Sequence, residues 1–437
     1  MIGYYLDLAL RSLKRNKVLT ALMVLAIGLG IGASMTMVTV LHVMTDDPMP
    51  GRSGQLFYPH LDPLPLDYRQ NSDGPDAANN LTWPDAKALL DARRGTRQAA
   101  MAGGQLLVRP ERTDLRPFSV DGRYATADFF AMFGVPFERG QGWSAADDAA
   151  RAHVVVLGDT LNRKLFGHGD SLGRTVRLGE TDFRVVGVAA DWRPQPMFYA
   201  DASATRFGDA DQFFLPLSVA MDLGLDVNGN FTGWGEDHAA TRMVSATTSW
   251  LQFWVQLDNP AQVAGYRQFL HDYSAQQKVL GRFQRPPENA QLYGLMAWLQ
   301  HQNLVPSDVR LQLWLALGFL LVCMTNIVAL LLAKFLRRSG EISVRRALGA
   351  RRRDIFLQLG IESAVIGVGG GVLGLLIAQL GLWSVRHRPD DYAQLAQMDV
   401  SMLLGTLVLA IAANILAGLL PAWRACRVAP VLQLKTL

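Results

Sequence analysis

The chain has 437 residues, of which 50% are hydrophobic and 18% are charged, and its formal net charge is +4. Soluble proteins carry about 25% charged residues, so this composition lies between that of a soluble enzyme and that of a protein made only of membrane helices. The small net charge gives no reason to expect a nucleic-acid partner. The two cysteines, Cys323 and Cys426, form no Cys-x-x-Cys motif, and no histidine cluster indicates a metal.

Four apolar segments are long enough to cross a bilayer, because about 20 helical residues at about 1.5 Å each span about 30 Å of hydrocarbon. They cover residues 18–44, 311–336, 355–385 and 400–422. Backbone amides in lipid have no water to bond, so each segment must be helical. The first segment could instead be a cleaved signal peptide. Its apolar run exceeds the usual length of about 7–15 residues, however, and we expect it to be retained.

Residues 1–17 precede the first span and place apolar and basic side chains at helical spacing. The apolar positions are Ile2, Tyr5, Leu6, Ala9, Leu10 and Leu13, and the basic ones are Arg11, Lys14 and Arg15. This pattern predicts an amphipathic helix in the inner membrane interface. A simple cytoplasmic extension of the first span is the alternative.

Residues 45–310 form a large domain with the signals of both strands and helices. Strands are predicted at 55–58, 104–109, 116–121, 153–157, 174–178, 182–189 and 250–257, and helices from Trp83 and over 260–277. Strand–helix–strand patterns at both ends suggest two lobes, one assembled from 52–110 and 248–300 and the other inserted at 111–247. The predicted fold class is therefore an α+β membrane protein, with four transmembrane helices and a mixed α/β, two-lobed domain between the first and second.

Enzymatic chemistry is not expected in this chain. The nearest approach to a phosphate-binding loop, at residues 167–175, lacks the required glycine spacing and the lysine. Scattered pairs such as His153 and Asp159 are interpreted as surface or core polar groups rather than a catalytic dyad.

Lysine and arginine concentrate on one side of the four spans. They occur in residues 1–17, in the connection 337–354, which holds seven arginines, and in the tail 423–437. The connection 386–399 has only two arginines and three aspartates. Because positive charge near the spans marks the cytoplasmic side, we expect both termini in the cytoplasm and the large domain on the outer side of the membrane.

The connection 337–354 also contains a helical pattern that membrane orientation does not require. Its residues 341–350 read Glu-Ile-Ser-Val-Arg-Arg-Ala-Leu-Gly-Ala, which predicts a short helix that ends near Gly349. A glutamate-led helix with apolar positions is not explained by membrane orientation. We therefore expect a docking role toward a soluble cytoplasmic partner.

This segment closely resembles the FtsX-like permease family of ABC transporters, particularly its MacB-type members. The closing stretch 418–425, Gly-Leu-Leu-Pro-Ala-Trp-Arg-Ala, matches the same family. Residues 170–178 followed by 183–188 are similar to the periplasmic core domain of that family.

The resemblance implies a permease that dimerises, with itself or a second permease, and pairs with a separate cytoplasmic ABC ATPase dimer. ATP and magnesium would bind that ATPase, and no cofactor is expected in this chain. The coupling surface carried over from the family comprises Glu341, Arg345, Arg346, Ala347, Leu348 and Gly349.

The function implied by the family is mechanotransmission, in which ATP hydrolysis on one side drives conformational change on the other. The favoured hypothesis is export or extraction of a peptide, antibiotic or lipoprotein. A periplasmic adaptor and an outer-membrane channel would then be further partners. The alternative is an FtsX-like regulator of cell-wall hydrolases. The large external domain favours transport.

Two features lie within the spans. Glycines at four-residue spacing, Gly28 with Gly32, Gly367 with Gly371, and Gly370 with Gly374, predict close helix packing, within a subunit or across a dimer. Glu362 lies about two turns inside the third span. An intramembrane carboxylate is a functional candidate, but pairing with one of the cytoplasmic arginines is the favoured explanation.

Overall fold

The structure, a computed structural model, describes residues 2–68, 79–111, 114–167, 169–200, 207–235, 242–302, 307–338, 340, 344, 348–349, 351–387 and 400–427. The chain divides into two compact units, which we call the helical unit (residues 1–45 and 305–437) and the α/β unit (residues 46–304).

The helices and strands follow in chain order. The helices are α1 (Ile2–Arg15), α2 (Lys17–Thr45), α3 (Trp83–Ala92), α4 (Asp128–Phe133), α5 (Ala145–Ala149), α6 (Asp159–Phe166), α7 (Leu217–Asp222), α8 (Pro260–Val279), α9 (Leu295–His301), α10 (Ser307–Arg337), α11 (Arg352–Arg386) and α12 (Val400–Arg427). The strands are β1 (Leu56–His60), β2 (Leu81–Thr82), β3 (Arg97–Arg109), β4 (Phe118–Ala125), β5 (Phe137–Gly140), β6 (Val154–Gly158), β7 (Thr175–Leu178), β8 (Thr181–Ala189), β9 (Phe213–Pro216), β10 (Val227–Asn228), β11 (Thr232–Gly233), β12 (Thr248–Gln256) and β13 (Gln291–Gly294).

The helical unit contains the four predicted spans. By length and composition, α2, α10, α11 and α12 can each cross a membrane. Helix α2 packs against α10 and α11, and α11 packs against α12. Their shared core includes Ile27, Ile31, Ile327, Leu331 and Ile366. Helix α1 lies in the region predicted to be amphipathic and packs against α11, with Ala9 buried.

The α/β unit is built on one mixed sheet whose central strand order is β13-β1-β12-β3-β4-β9-β6-β8-β5. Pairing is antiparallel except for β4 with β9 and β6 with β8. Strands of the two flanking segments occupy one end of this order, and strands of the predicted inserted lobe occupy the other. The ladder between β3 and β4, which runs in register from Met101↔Ala125 to Val108↔Phe118, joins the two groups.

The two predicted lobes share their hydrophobic core. Successive strand side chains point to opposite faces of a sheet. On one face of the sheet, Val155 of the inserted lobe and Phe253 of the flank belong to the same hydrophobic cluster. On the other face, Phe214 and Trp254 do the same. The lobes are thus two halves of one sheet, with core residues of both halves in each cluster.

Asp148 ties three short elements of the α/β unit together. Its carboxylate accepts hydrogen bonds from the Ala127 backbone N–H at 2.7 Å and from Trp143 Nε1 at 3.0 Å. Its backbone carbonyl accepts from the Ser218 hydroxyl at 3.1 Å. Burial raises the pKa of this carboxyl to about 6, against the lowering effect of the two N–H donors.

This raised pKa predicts a pH-dependent contribution to stability. The folded state holds the Asp148 proton more tightly than the unfolded state does, so the contribution is favourable at low pH and is lost as the pH rises from about 4 to about 6. We expect the difference in unfolding free energy between wild type and Asp148→Asn to grow in favour of wild type on acidification through this window. Pulse proteolysis of the full chain in detergent and urea measures it.

The neighbouring Asp147→Asn variant is the matched control. Hydrogen bonds from Ser144 lower the pKa of the Asp147 carboxyl, so its contribution is present above the ordinary pKa and is lost on acidification, the opposite sign. Parallel pH profiles for the two variants would contradict the assignment to Asp148.

Candidate functional site

The predicted coupling surface lies in the loop that joins α10 to α11, here called the connecting loop (residues 338–351). Glu341, Arg345, Arg346 and Ala347 lie outside the described residues. Of the six predicted residues, the structure describes Leu348 and Gly349.

The described part of the connecting loop is consistent with the predicted short helix. Gly340 and Val344 are helical, and the Leu348 N–H donates to the Val344 carbonyl at 3.0 Å, four residues back. Gly349 follows with a φ of +100°, a conformation that favours glycine and commonly ends helices. The Leu348 side chain is 83% exposed within this chain, and Val344 is also exposed. Two apolar side chains are therefore presented outward by the connecting loop.

A buried polar cluster joins the first residue of this loop to side chains of three helices. It comprises Ser12 of α1, Lys334 of α10, Arg338 at the start of the connecting loop and Glu362 of α11, and we call it the Glu362 network. Glu362 Oε1 lies 2.5 Å from Lys334 Nζ, and Oε2 lies 3.2 Å from Arg338 Nη1. The side chains of Glu362 and Lys334 are both 0% exposed.

Ser12 completes the Glu362 network from α1. Its hydroxyl donates to Glu362 Oε1 at 2.6 Å and accepts from Arg338 Nη1 at 2.7 Å. A buried carboxylate in a helical bundle loses the hydration that stabilises its charge, and only close cations and hydrogen-bond donors compensate for that loss. Lys334, Arg338 and Ser12 supply them from two other helices and the connecting loop.

The pairing favoured for Glu362 is confirmed, with Arg338 as its arginine. The sequence prediction missed Lys334 and Ser12. Lys334 follows a long run of apolar residues that predicts a membrane span, while Ser12 lies among basic residues on α1. The spacing of Lys334 and Arg338, four residues apart and so on one helix face, was the available signal.

The predicted packing glycines lie between helices of the same chain. A Cβ on Gly28 would lie 2.8 Å from Leu373 Cγ, and one on Gly32 would lie 2.6 Å from Ile377 Cγ2, both on α11. Gly374 faces Ile31 of α2 in return. These three glycines let α2 and α11 approach closely.

The other predicted glycines of α11 face a different helix. Cβ atoms on Gly367 and Gly371 would lie 3.0 Å from Asn414 Cβ and 2.9 Å from Ala410 Cβ, both on α12. Gly370 lies on the α2 side, against Ile27. Helix α11 therefore uses small residues toward two neighbours.

Substitution at the α2–α11 contact tests this packing. Alanine is the better helix former by about 1 kcal/mol, so Gly32→Ala would stabilise an isolated helix. Here its Cβ would also lie 3.0 Å from the Gly374 backbone carbonyl, which cannot rotate away. We expect Gly32→Ala to lower the thermal unfolding midpoint in detergent, measured by fluorescence-detected size exclusion.

Gly318→Ala in α10 is the control, because nothing lies within 4 Å of its Cβ position. That variant should match or exceed wild type. Equal midpoints for the two variants would show that the α2–α11 contact is looser than described.

The residues considered as a catalytic dyad have other contacts. Asp159 pairs with Arg163, and the His153 ring packs against Phe183. Among the described residues, no three His, Cys, Asp or Glu side chains come together as a metal site requires.

Two family models match the chain. The MacB-like periplasmic core domain matches residues 20–271, and the FtsX-like permease C-terminal domain matches residues 314–430. The second match contains most of α10, the connecting loop, and all of α11 and α12.

Curated relatives carry related names. The chain is 25% identical over 362 residues to the pyoverdine export ATP-binding/permease protein PvdT of Pseudomonas entomophila, covering 82% of this chain and 48% of that protein. It is 29% identical over 451 residues to the macrolide export ATP-binding/permease protein MacB of Rhodospirillum rubrum, covering 99% and 60%. The chain thus spans about half the length of the curated relatives it matches.

Among solved structures, the periplasmic region of MacB from Actinobacillus actinomycetemcomitans aligns with a TM-score of 0.36 and 12% identity, over 58% of this chain and 94% of that one. The MacB-like model alone covers more than half of the sequence, and the FtsX-like model covers most of the remainder. This chain belongs to the MacB/FtsX-like family of ABC transporter permeases.

Proposed function

We propose that this chain is the permease subunit of a MacB-type ABC transporter and works with a separate cytoplasmic ATPase dimer. ATP and magnesium bind that ATPase, and the connecting loop receives its motion. In this arrangement both termini and the connecting loop are cytoplasmic, the membrane is the inner membrane, and the α/β unit is periplasmic. The subunit pairs with a second permease, identical or similar.

The geometry of the connecting loop carries this proposal. Leu348 and Val344 are exposed rather than buried in the core of the chain, and Gly349 follows them with a φ that commonly ends helices. Exposed apolar side chains rimmed by charge mark protein interaction sites. The adjacent Arg345 and Arg346 supply the charge by sequence. The names of the relatives, which combine ATP-binding with permease, support an ATPase as the occupant.

Motion at the connecting loop reaches the membrane helices through the chain itself. The loop is covalently continuous with α10 and α11, which both pack against α2. Helices α2 and α10 in turn lead by sequence into the two ends of the α/β unit. ATP-driven movement of the loop would therefore be converted into movement of the periplasmic unit without a substrate path through the bilayer.

The cargo is proposed from the relatives. Their names refer to export of a pyoverdine and of macrolides, which supports export or extraction of a compound such as a peptide, antibiotic or lipoprotein. A periplasmic adaptor and an outer-membrane channel are the partners that such export would use.

Substitution of Leu348 tests the ATPase contact. Because the side chain is 83% exposed, Leu348→Asp should leave the permease folded while placing a carboxylate in the interface. We expect it, like Arg345→Glu/Arg346→Glu, to abolish co-purification of an ABC ATPase with the tagged chain from native membranes. Val279→Asp, at an 88% exposed position in the α/β unit, is the matched control and should retain the ATPase.

Retention of the ATPase by both loop variants would refute this interface. The same purification separates transport from regulation. An adaptor or outer-membrane channel bound to the α/β unit would support export, whereas a bound cell-wall hydrolase would select the FtsX-like regulator instead.

A further inference from the structure

We propose that Arg338 is a releasable positioning residue, which holds the connecting loop and α1 against α11 in the resting state and detaches from Glu362 during transmission. Lys334 is the permanent partner of Glu362. The inference rests on the proposed function for its role in coupling, but the arrangement of the Glu362 network carries it.

The two cations of the network are not equivalent. Lys334 lies 2.5 Å from the carboxylate and its side chain is 0% exposed, so it is enclosed by the helical unit. Arg338 is farther away, at 3.2 Å, and its side chain is 12% exposed. The inner cation belongs to the last part of α10, and the outer one begins the connecting loop.

Two cations around one carboxylate make release of the outer one less costly. Removing the sole partner of a buried charge leaves that charge uncompensated, which is strongly destabilising. If Arg338 moves away, Glu362 still contacts Lys334, and the guanidinium moves from a site already at the edge of the unit. Displacement of Lys334 would cost more, because the ammonium has no exposed surface through which water could solvate it.

Ser12 connects this release to α1. Its hydroxyl uses one interaction to donate to Glu362 and another to accept from Arg338, so it bridges the fixed and the releasable group. When Arg338 leaves, Ser12 loses one of these two bonds. Arg338 contacts both Ser12 and Glu362, so its departure removes this indirect link and leaves the direct Ser12–Glu362 bond between α1 and α11.

The geometry predicts different outcomes for the two cations. The Arg338→Gln variant should still fold and bind the ATPase. ATP hydrolysis should no longer be coupled to transport, so most of the substrate transported per ATP hydrolysed should be lost. Arg338→Lys, which keeps a cation, should restore much of the coupling. Lys334→Met should instead lower the thermal midpoint of the chain, since Glu362 then depends on Arg338 alone.

A distance measurement on the chain without ATPase tests the positioning directly. Spin labels at Asp7→Cys on α1 and Leu357→Cys on α11 occupy exposed positions, with Cys323 and Cys426 replaced by alanine. In nanodiscs, electron–electron double resonance measures the distance between the two labels. Its distribution should be narrow in the doubly labelled parent and in the Arg338→Lys variant. Arg338→Gln should give a broader distribution at an unchanged thermal midpoint.

An Arg338→Gln distribution identical to that of the parent would overturn the proposal, as would an equal loss of thermal stability in Arg338→Gln and Lys334→Met. Because this measurement needs no ATPase, its result is independent of the proposed function. Absence of any ATPase partner would remove the coupling role and leave the positioning result standing.

Discussion

The helical unit depends on the enclosure of one carboxylate. Glu362 is buried among apolar helices, and its charge is tolerated only because Lys334 and Arg338 lie against it and Ser12 donates to it. This requirement fixes which residues of α10 face α11, since a rotation or a slide of either helix would separate the charges. It also gives α1 a defined position that apolar contact alone would not specify. A polar group in a core can thus select one arrangement of helices even where it adds little net stability.

The glycines complete that arrangement by setting distances. On α11, Gly370 and Gly374 admit side chains of α2, while Gly367 and Gly371 admit α12. Close backbone approach over several turns leaves little room for independent movement of these helices. A displacement applied where α11 begins would therefore be shared by α2 and α12 rather than absorbed locally. The charged cluster and the glycine contacts have complementary roles, because the first fixes the register of the helices and the second fixes their separation.

The sequence predicted the elements whose physical signals are local. The four spans, the helix from Trp83 with its proline in the first turn, and strands such as β6 and β8 follow from apolar length, capping or β-branched runs. The first half of β3 was missed, since Ala99 to Ala102 carry no β-branched residue and become a strand through burial between β12 and β4. In the candidate site, Glu362 and its arginine could be predicted. Ser12 could not, because its partners are distant in sequence, and Lys334 is indicated only by its four-residue spacing from Arg338.

The ladder that unites the two halves of the α/β sheet has a consequence for how such proteins diversify. At its middle Gly104 pairs with Gly122, and these positions are filled from the side by the Tyr124 ring and by Phe213. If the segment 111–247 were grafted from one permease into another, it would have to bring the aromatic side chains that fill the space beside these glycines. It would also have to preserve the β3–β4 register, since a slip of one residue would turn the core side chains toward solvent. The edge strands β5 and β13 each pair with one neighbouring strand in the described structure, so a change there disturbs one ladder rather than two.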